Sequence, residues 1–195
     1  MEQLSEQATA WLDPAVDFVV ETGLQQLTLR PLGARLGTSD RMLLYHFGTK
    51  EQLVRRVIIR ASERLADSIL RSLDPPPRRP VDVLLTFWRI LTSDDTAPYV
   101  RLYLELVVAG LRDPDAYGEA VRQIATAWLA LADHLLGATG ARLPRTAGLD
   151  TLAALDGLIV ARASLGPEVD AEAALRRLAK SWASGPRTSK GSSPA

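Results

Sequence analysis

A chain of 195 residues, 47% apolar and 24% charged, is long enough to bury a core and has the composition of an ordinary globular protein. Its 23 basic and 23 acidic groups cancel, so the chain as a whole is not drawn to polyanions. The absence of cysteine excludes disulfides, thiol catalysis and cysteine-based metal sites.

The opening stretch, "MEQLSEQATAWLD", carries no Lys or Arg and so lacks the basic region of a signal peptide. No run of about 18 apolar residues could span a bilayer. A soluble, cytoplasmic protein with no membrane partner is expected. Helical spacing recurs along the chain without the sustained apolar/polar alternation of a half-buried strand. Glycines, prolines and the cluster "DPPPRRP" at 74–80 leave room for about nine helices. The fold class expected is therefore all-α.

The first helix is expected to start at Asp13 and Pro14, a capping aspartate followed by a proline at the first helical position, with residues 5–12 as a separate lead-in turn. Ala15, Val16, Val19 and Val20 form its buried face, and the chain turns at Gly23. Thr28 can cap a second helix that buries Leu29, Leu32 and Leu36 and ends at Gly37. Only Thr38 separates that glycine from Ser39, which can cap a third helix burying Leu43 and Phe47. At about 100° per residue, Arg41 and Tyr45 then face away from the core, with Met42 and Leu44 on the flanks. A planar bidentate donor, an aromatic hydroxyl and a methionine on one face suit base edges and thymine methyls in a major groove. In "GTKEQL", Thr49 and Gln52 form a capping box, so a helix amino terminus and Lys50 together make a phosphate clamp.

The stretch "WLDPAVDFVVETGLQQLTLRPLGARLGTSDRMLLYHFGTKEQL" resembles the amino-terminal domain of TetR-type transcriptional regulators, the likeness covering residues 11 to about 56. The resemblance rests on the helix ending in "ETG", the Thr28 cap, "LGARLGTS", "LLYHF" and "GTKEQL". It implies a three-helix DNA-binding head with a helix-turn-helix, over residues 1–56, and a helical ligand-binding and dimerisation body over 57–184. It makes Thr38, Arg41, Met42 and Tyr45 base readers and Thr28, Ser39, His46 and Lys50 phosphate contacts. The implied partners are a palindromic double-stranded operator, a small-molecule effector and a second copy of the chain. At Leu44 many relatives carry a phosphate-contacting tyrosine, and before the first helix they usually carry an arginine, whereas no basic residue here precedes Arg30. Residues 1–56 hold six basic groups against seven acidic ones, so the head must concentrate its cations on the contact side.

Beyond the proline cluster, the segment 98–111 is apolar almost all round, and Arg101 and Glu105, four residues apart, mark a thin solvated strip. Tyr117, Val121, Ile124, Trp128, Leu131 and Leu135 form one stripe of the helix over 114–136. Trp88, Tyr103 and Trp128 are the candidate lining of an apolar effector site. Segments 149–165 and 170–184 have more apolar surface than one body needs, which points to a homodimer built through them. The last eleven residues, "GPRTSKGSSPA", read as a disordered tail over 185–195. With no glycine-rich phosphate loop, nucleophile elbow or zinc motif, and only two histidines, neither an enzyme nor a cofactor or metal site is expected. The function expected is a regulator, most simply a repressor that a hydrophobic or aromatic effector releases from its operator. The alternative is a TetR-like small-molecule-binding or interaction protein whose head no longer recognises an operator.

Overall fold

The computed structural model describes residues 5–73, 75 and 77–183, and all regular elements among them are helices. They are α1 (Glu6–Thr22), a 3-10 turn (Leu24–Gln26), α2 (Leu29–Leu36), α3 (Asp40–Phe47), α4 (Lys50–Ser72), α5 (Pro80–Leu91), α6 (Ala97–Arg112), α7 (Pro114–Ala138), α8 (Ala147–Leu165) and α9 (Ala171–Ala183). The all-α expectation and the approximate helix count hold among the described residues. The segment 185–195, expected to be a disordered tail, lies outside them. No helix among the described residues is long and apolar enough to cross a membrane.

The first helix corrects the expectation. It runs unbroken from Glu6, with Pro14 inside it, and residues 5–12 are not a separate turn. Ser5 is the N-cap: its Oγ accepts from the Ala8 amide at 3.2 Å, and Glu6 places a negative charge in the first turn. A proline inside a helix costs about 3 kcal/mol. Offsetting it, Ala8 is fully buried and Trp11 and Leu12 pack on the core, burial that a helix starting at Asp13 would forgo.

The chain divides into two compact units, residues 5–72 with 89–128, and 73–88 with 129–183. In the first, α1 packs against α2, α3, α4 and α6. Its core takes Val16 and Val19 from α1, Leu32 from α2, Leu43 and Phe47 from α3, and Val57 and Ile58 from α4. Leu102 and Leu106 of α6 and Ile124 of α7 join the same cluster, so the beginnings of a body are built into the core beneath the three short helices. The second unit buries Phe87, Leu136, Leu155, Leu175 and Trp182. There the Trp182 indole donates to Asp150 Oδ2 at 3.2 Å, tying α9 to α8. The α8 helix still leaves Leu149, Val160 and Leu165 largely exposed.

Close approach of α6 and α7 depends on one missing side chain. A Cβ on Gly110 would lie 2.7 Å from Val121 Cγ2. In an open helix Gly→Ala is favourable by up to about 1 kcal/mol. Against a β-branched neighbour that is stiff about χ1, overpacking costs about 1–3 kcal/mol and reverses the sign. Gly110→Ala should therefore lower the urea midpoint without changing the m-value. Val121→Ala should be better tolerated in that background than in the wild-type chain.

Candidate nucleic-acid interface

The turn between α2 and α3 is tight because two glycines make it so. Gly37 closes α2 in the left-handed conformation, φ 65° and ψ 33°, where a side chain would be strained. Gly33 lies where a Cβ would stand 2.9 Å from the Thr38 carbonyl, and its own carbonyl accepts from the Thr38 amide at 2.8 Å. Ser39 then caps α3, its Oγ accepting from the Met42 amide at 3.3 Å. Leu43 and Phe47 turn inward and are buried, as their spacing predicts.

The outward face of α3 carries Arg41, Met42 and Tyr45, with Leu44 beside them, all exposed. Tyr45 is 78% exposed and Met42 41%, a large apolar and aromatic area for an eight-residue helix to show to water. Arg41 has no hydrogen-bond or ion-pair partner among the described residues, so its guanidinium is uncommitted. Thr38 is half-buried at the entry to the helix.

The four predicted phosphate contacts fare differently. Thr28 occupies the N-cap position of α2 with extended backbone, but its hydroxyl makes no capping bond. Its capping role is corrected, and the exposed hydroxyl is left for another partner. The Ser39 hydroxyl is already engaged in its cap. His46 is half-buried, with Nδ1 2.8 Å from Ser5 Oγ and the ring edge-on to Trp11 and Tyr45 at 5.2 and 5.0 Å. Lys50 opens α4 above a capping box in which Gln52 Oε1 accepts from the Thr49 amide at 2.8 Å and Thr49 Oγ1 from the Gln52 amide at 3.2 Å. Beside it, Glu51 is held below the usual carboxylate range, chiefly by a hydrogen bond from its own backbone amide and then by the Thr49 hydroxyl. A fixed negative charge therefore sits next to the lysine.

Two ion pairs join α1 to α4 at matching four-residue spacings. Arg60 grips Asp13 with Nε and Nη2 at 2.8 and 3.1 Å, and Arg64 Nη1 reaches Asp17 at 2.7 Å, its guanidinium lying 6.0 Å from the centre of the Tyr99 ring. The Arg60 hydrogen bond holds the Asp13 carboxyl below its usual value, and Asp13 in turn raises Arg60. Within the head, Arg35 pairs with Glu21 at 3.1 Å. Three of the seven acidic groups in residues 1–56 are thus neutralised, two by arginines lying just past residue 56. Sequence reasoning missed this ladder; the signal was two acids and two arginines, each pair four apart, on helices that must pack together.

Glu105 also departs from its expectation. It does not mark a solvated strip with Arg101: its carboxylate accepts from the Leu24 amide at 2.7 Å and lies over Gly23, whose φ is +87°. A body helix thereby caps the turn that follows α1. Of the expected effector-lining residues, Trp128 is half-buried and donates from Nε1 to Ser62 Oγ on α4 at 2.9 Å. Tyr103 is half-buried against the core of the first unit, and Trp88 is buried in the second.

Residues 12–57 match the family model described as bacterial regulatory proteins, tetR family, and this segment is a TetR-family domain. The fold is shared along nearly the whole chain. A TetR-family transcriptional regulator from Cytophaga hutchinsonii is 11% identical with a TM-score of 0.71, covering 94% of this chain and 98% of that one. The multidrug binding protein EbrR complexed with proflavin is 24% identical with a TM-score of 0.66, over 89% of this chain and 99% of its own. A transcriptional regulator from Rhodococcus sp. Rha1 is 21% identical with a TM-score of 0.65, over 91% and 96%. A comparison with curated proteins finds no match.

The ladder between α1 and α4 predicts a pH-dependent stability. Because the folded-state pKa of Asp13 is depressed, the pair contributes fully above the usual aspartate value of 3.8 and its contribution is lost progressively as pH falls from there through the lower folded-state value. Both partners are partly exposed, so Asp13→Asn should cost less than about 1 kcal/mol at neutral pH and low salt. Urea titrations at pH 7 and pH 3 should show a smaller cost at the lower pH, and added salt should shrink it.

Proposed function

We propose that this TetR-family fold serves a ligand-responsive DNA-binding transcriptional regulator, a repressor that a small hydrophobic or aromatic molecule releases from its operator. The observation that carries the reading is the outward face of α3, where Arg41, Met42 and Tyr45 are exposed opposite the buried Leu43 and Phe47. Arg41 supplies a bidentate donor for guanine, and Met42 and Tyr45 supply apolar contact for thymine methyls. Thr38 stands at the entry of the same helix. Thr28, Ser39, His46 and Lys50 surround this face as phosphate contacts, with Lys50 and the uncommitted Thr28 hydroxyl the strongest of the four.

In this reading residues 1–56 are the DNA-binding head and 57–184 the body. The exposed Leu149, Val160 and Leu165 on α8 support a homodimer formed through 149–184, since apolar area of this kind is normally covered by a partner. Two heads related by a twofold axis require a palindromic operator. Tyr103 and Trp128 are the aromatic groups proposed to meet the effector. Trp128 is bonded to Ser62 on α4, so displacement of its ring acts on the helix that begins at Lys50. Trp88, the third aromatic candidate for effector contact, is buried in the second unit.

Duplex selection, salt titration and light scattering test this. Selection from a random duplex pool should recover a palindrome, and Arg41→Ala or Tyr45→Ala should weaken its binding by about 1–3 kcal/mol per altered base pair while sparing scrambled duplex. Lys50→Ala should weaken both duplexes alike and reduce the salt slope by about one for each phosphate it no longer neutralises. Equal affinity for selected and scrambled duplexes would support instead a small-molecule-binding protein without an operator. In light scattering, Val160→Glu with Leu165→Glu should convert a dimer to a folded monomer; a wild-type monomer at micromolar concentration rejects the interface.

A further inference from the structure

A cavity of about 770 Å³ lies in the first unit, bounded by the 3-10 turn, the start of α4, the outer half of α6 and the start of α7. Its size falls within the range of small-molecule sites. Val54, Leu104 and Val108 give it apolar walls, and Val108 is 46% exposed, more than a residue serving only the core would be. Three cations line it as well: Lys50, Arg101 and Arg112. None of the three has a hydrogen-bond or ion-pair partner among the described residues.

The two acids in the same wall do not neutralise them by contact. Glu105 is engaged with the Leu24 amide at 2.7 Å, and Asp113 Oδ1 accepts from the Ala116 amide at 3.1 Å as the cap of α7. What remains is an apolar surface edged by three cations against two hydrogen-bonded carboxylates, with the Arg101 and Arg112 guanidiniums uncommitted and Lys50 partly offset by Glu51 beside it. Its complement is a molecule with an apolar body and one anionic head, because the head satisfies guanidinium donors in bidentate fashion while the body displaces water from the leucine and valine walls.

We propose that this groove is a binding site for an anionic amphiphile, a carboxylate or a phosphate monoester on an apolar chain, distinct from the aromatic effector site around Tyr103 and Trp128. Its regulatory consequence rests on the operator reading above. Lys50 belongs both to the groove and to the predicted phosphate contacts, so an anion bound here competes with the operator backbone for one lysine. By linkage, anion and operator weaken each other equally.

Calorimetry on the full chain separates this site from the operator reading, because it needs no DNA. The probes are decanoate, decyl phosphate, decanol and decyltrimethylammonium. The anions should bind at one site per protomer, with decanol and the cation at least about tenfold weaker. Whichever of decanoate and decyl phosphate binds more tightly names the headgroup. The double variant Arg101→Gln, Arg112→Gln should bind the anions at least about tenfold more weakly while keeping the wild-type melting temperature and duplex affinity. Decanol binding as tightly as decanoate would overturn the proposal, as would a double variant that keeps its anion affinity. Loss of duplex binding by that variant in the absence of any amphiphile would also overturn it, assigning these cations to DNA. Anion binding in a protein that recognises no operator upholds the groove and rejects the operator reading; operator binding without anion binding rejects the groove alone.

Discussion

An eight-residue helix is too short to hold itself in water, since the cost of nucleating its first turn is not offset by so few hydrogen bonds. The outward face of α3 therefore depends on the burial of Leu43 and Phe47 against the elements around them. That burial fixes the rotation of the helix about its own axis, and with it the direction in which Arg41 and Tyr45 point. The αL glycine before the helix and the Ser39 cap set where it begins. A chain that met the same residues with a shifted phase would turn the tyrosine into the core and leave the phenylalanine in water.

That face is tied to the longer helices of the first unit at several points. The α4 helix enters from the capping box at Thr49 and Gln52 and continues past the head, gripping α1 through Asp13 and Asp17 on the way. The α6 helix reaches back through Glu105 to the turn after α1. Two body helices thus hold α1 at different points, one by paired charges near its middle and one by a carboxylate just past its carboxy-terminal end. Exposed ion pairs of this sort contribute little to stability. Their geometric effect is larger, because each fixes how one helix is placed against another.

The acidity of the head takes on a different meaning once the partners are known. An excess of one negative charge over residues 1–56 is unfavourable for a DNA-binding module. Asp13, Asp17 and Glu21 are paired with arginines, while Arg41 and Lys50, on the proposed contact side, form no ion pair among the described residues. Charge is thereby sorted between the acids paired with arginines and the cations of the proposed contact side. Two acids remain beside these cations: Asp40 in the first turn of α3 next to Arg41, and Glu51 next to Lys50, held ionised by its own amide and by Thr49.

Local periodicity was enough to place α2, α3 and the start of α4, to separate Leu43 and Phe47 from Arg41 and Tyr45, and to identify the capping box, because each of these follows from spacing within one or two turns. It was also enough to anticipate the apolar surplus of α8. It misplaced the start of α1, since whether a helix tolerates Pro14 depends on what Ala8 and Trp11 bury against. Thr28 took the capping position without making the capping bond, a matter of side-chain rotation rather than residue type. Glu105 read as solvated because its partner, the Leu24 amide, is 81 residues away and belongs to the backbone, which no side-chain pattern records. The same holds for Arg60 with Asp13 and for Trp128 with Ser62, which are 47 and 66 residues apart. Which polar group meets which is decided by the packing of helices, and that packing is a property of the folded chain as a whole.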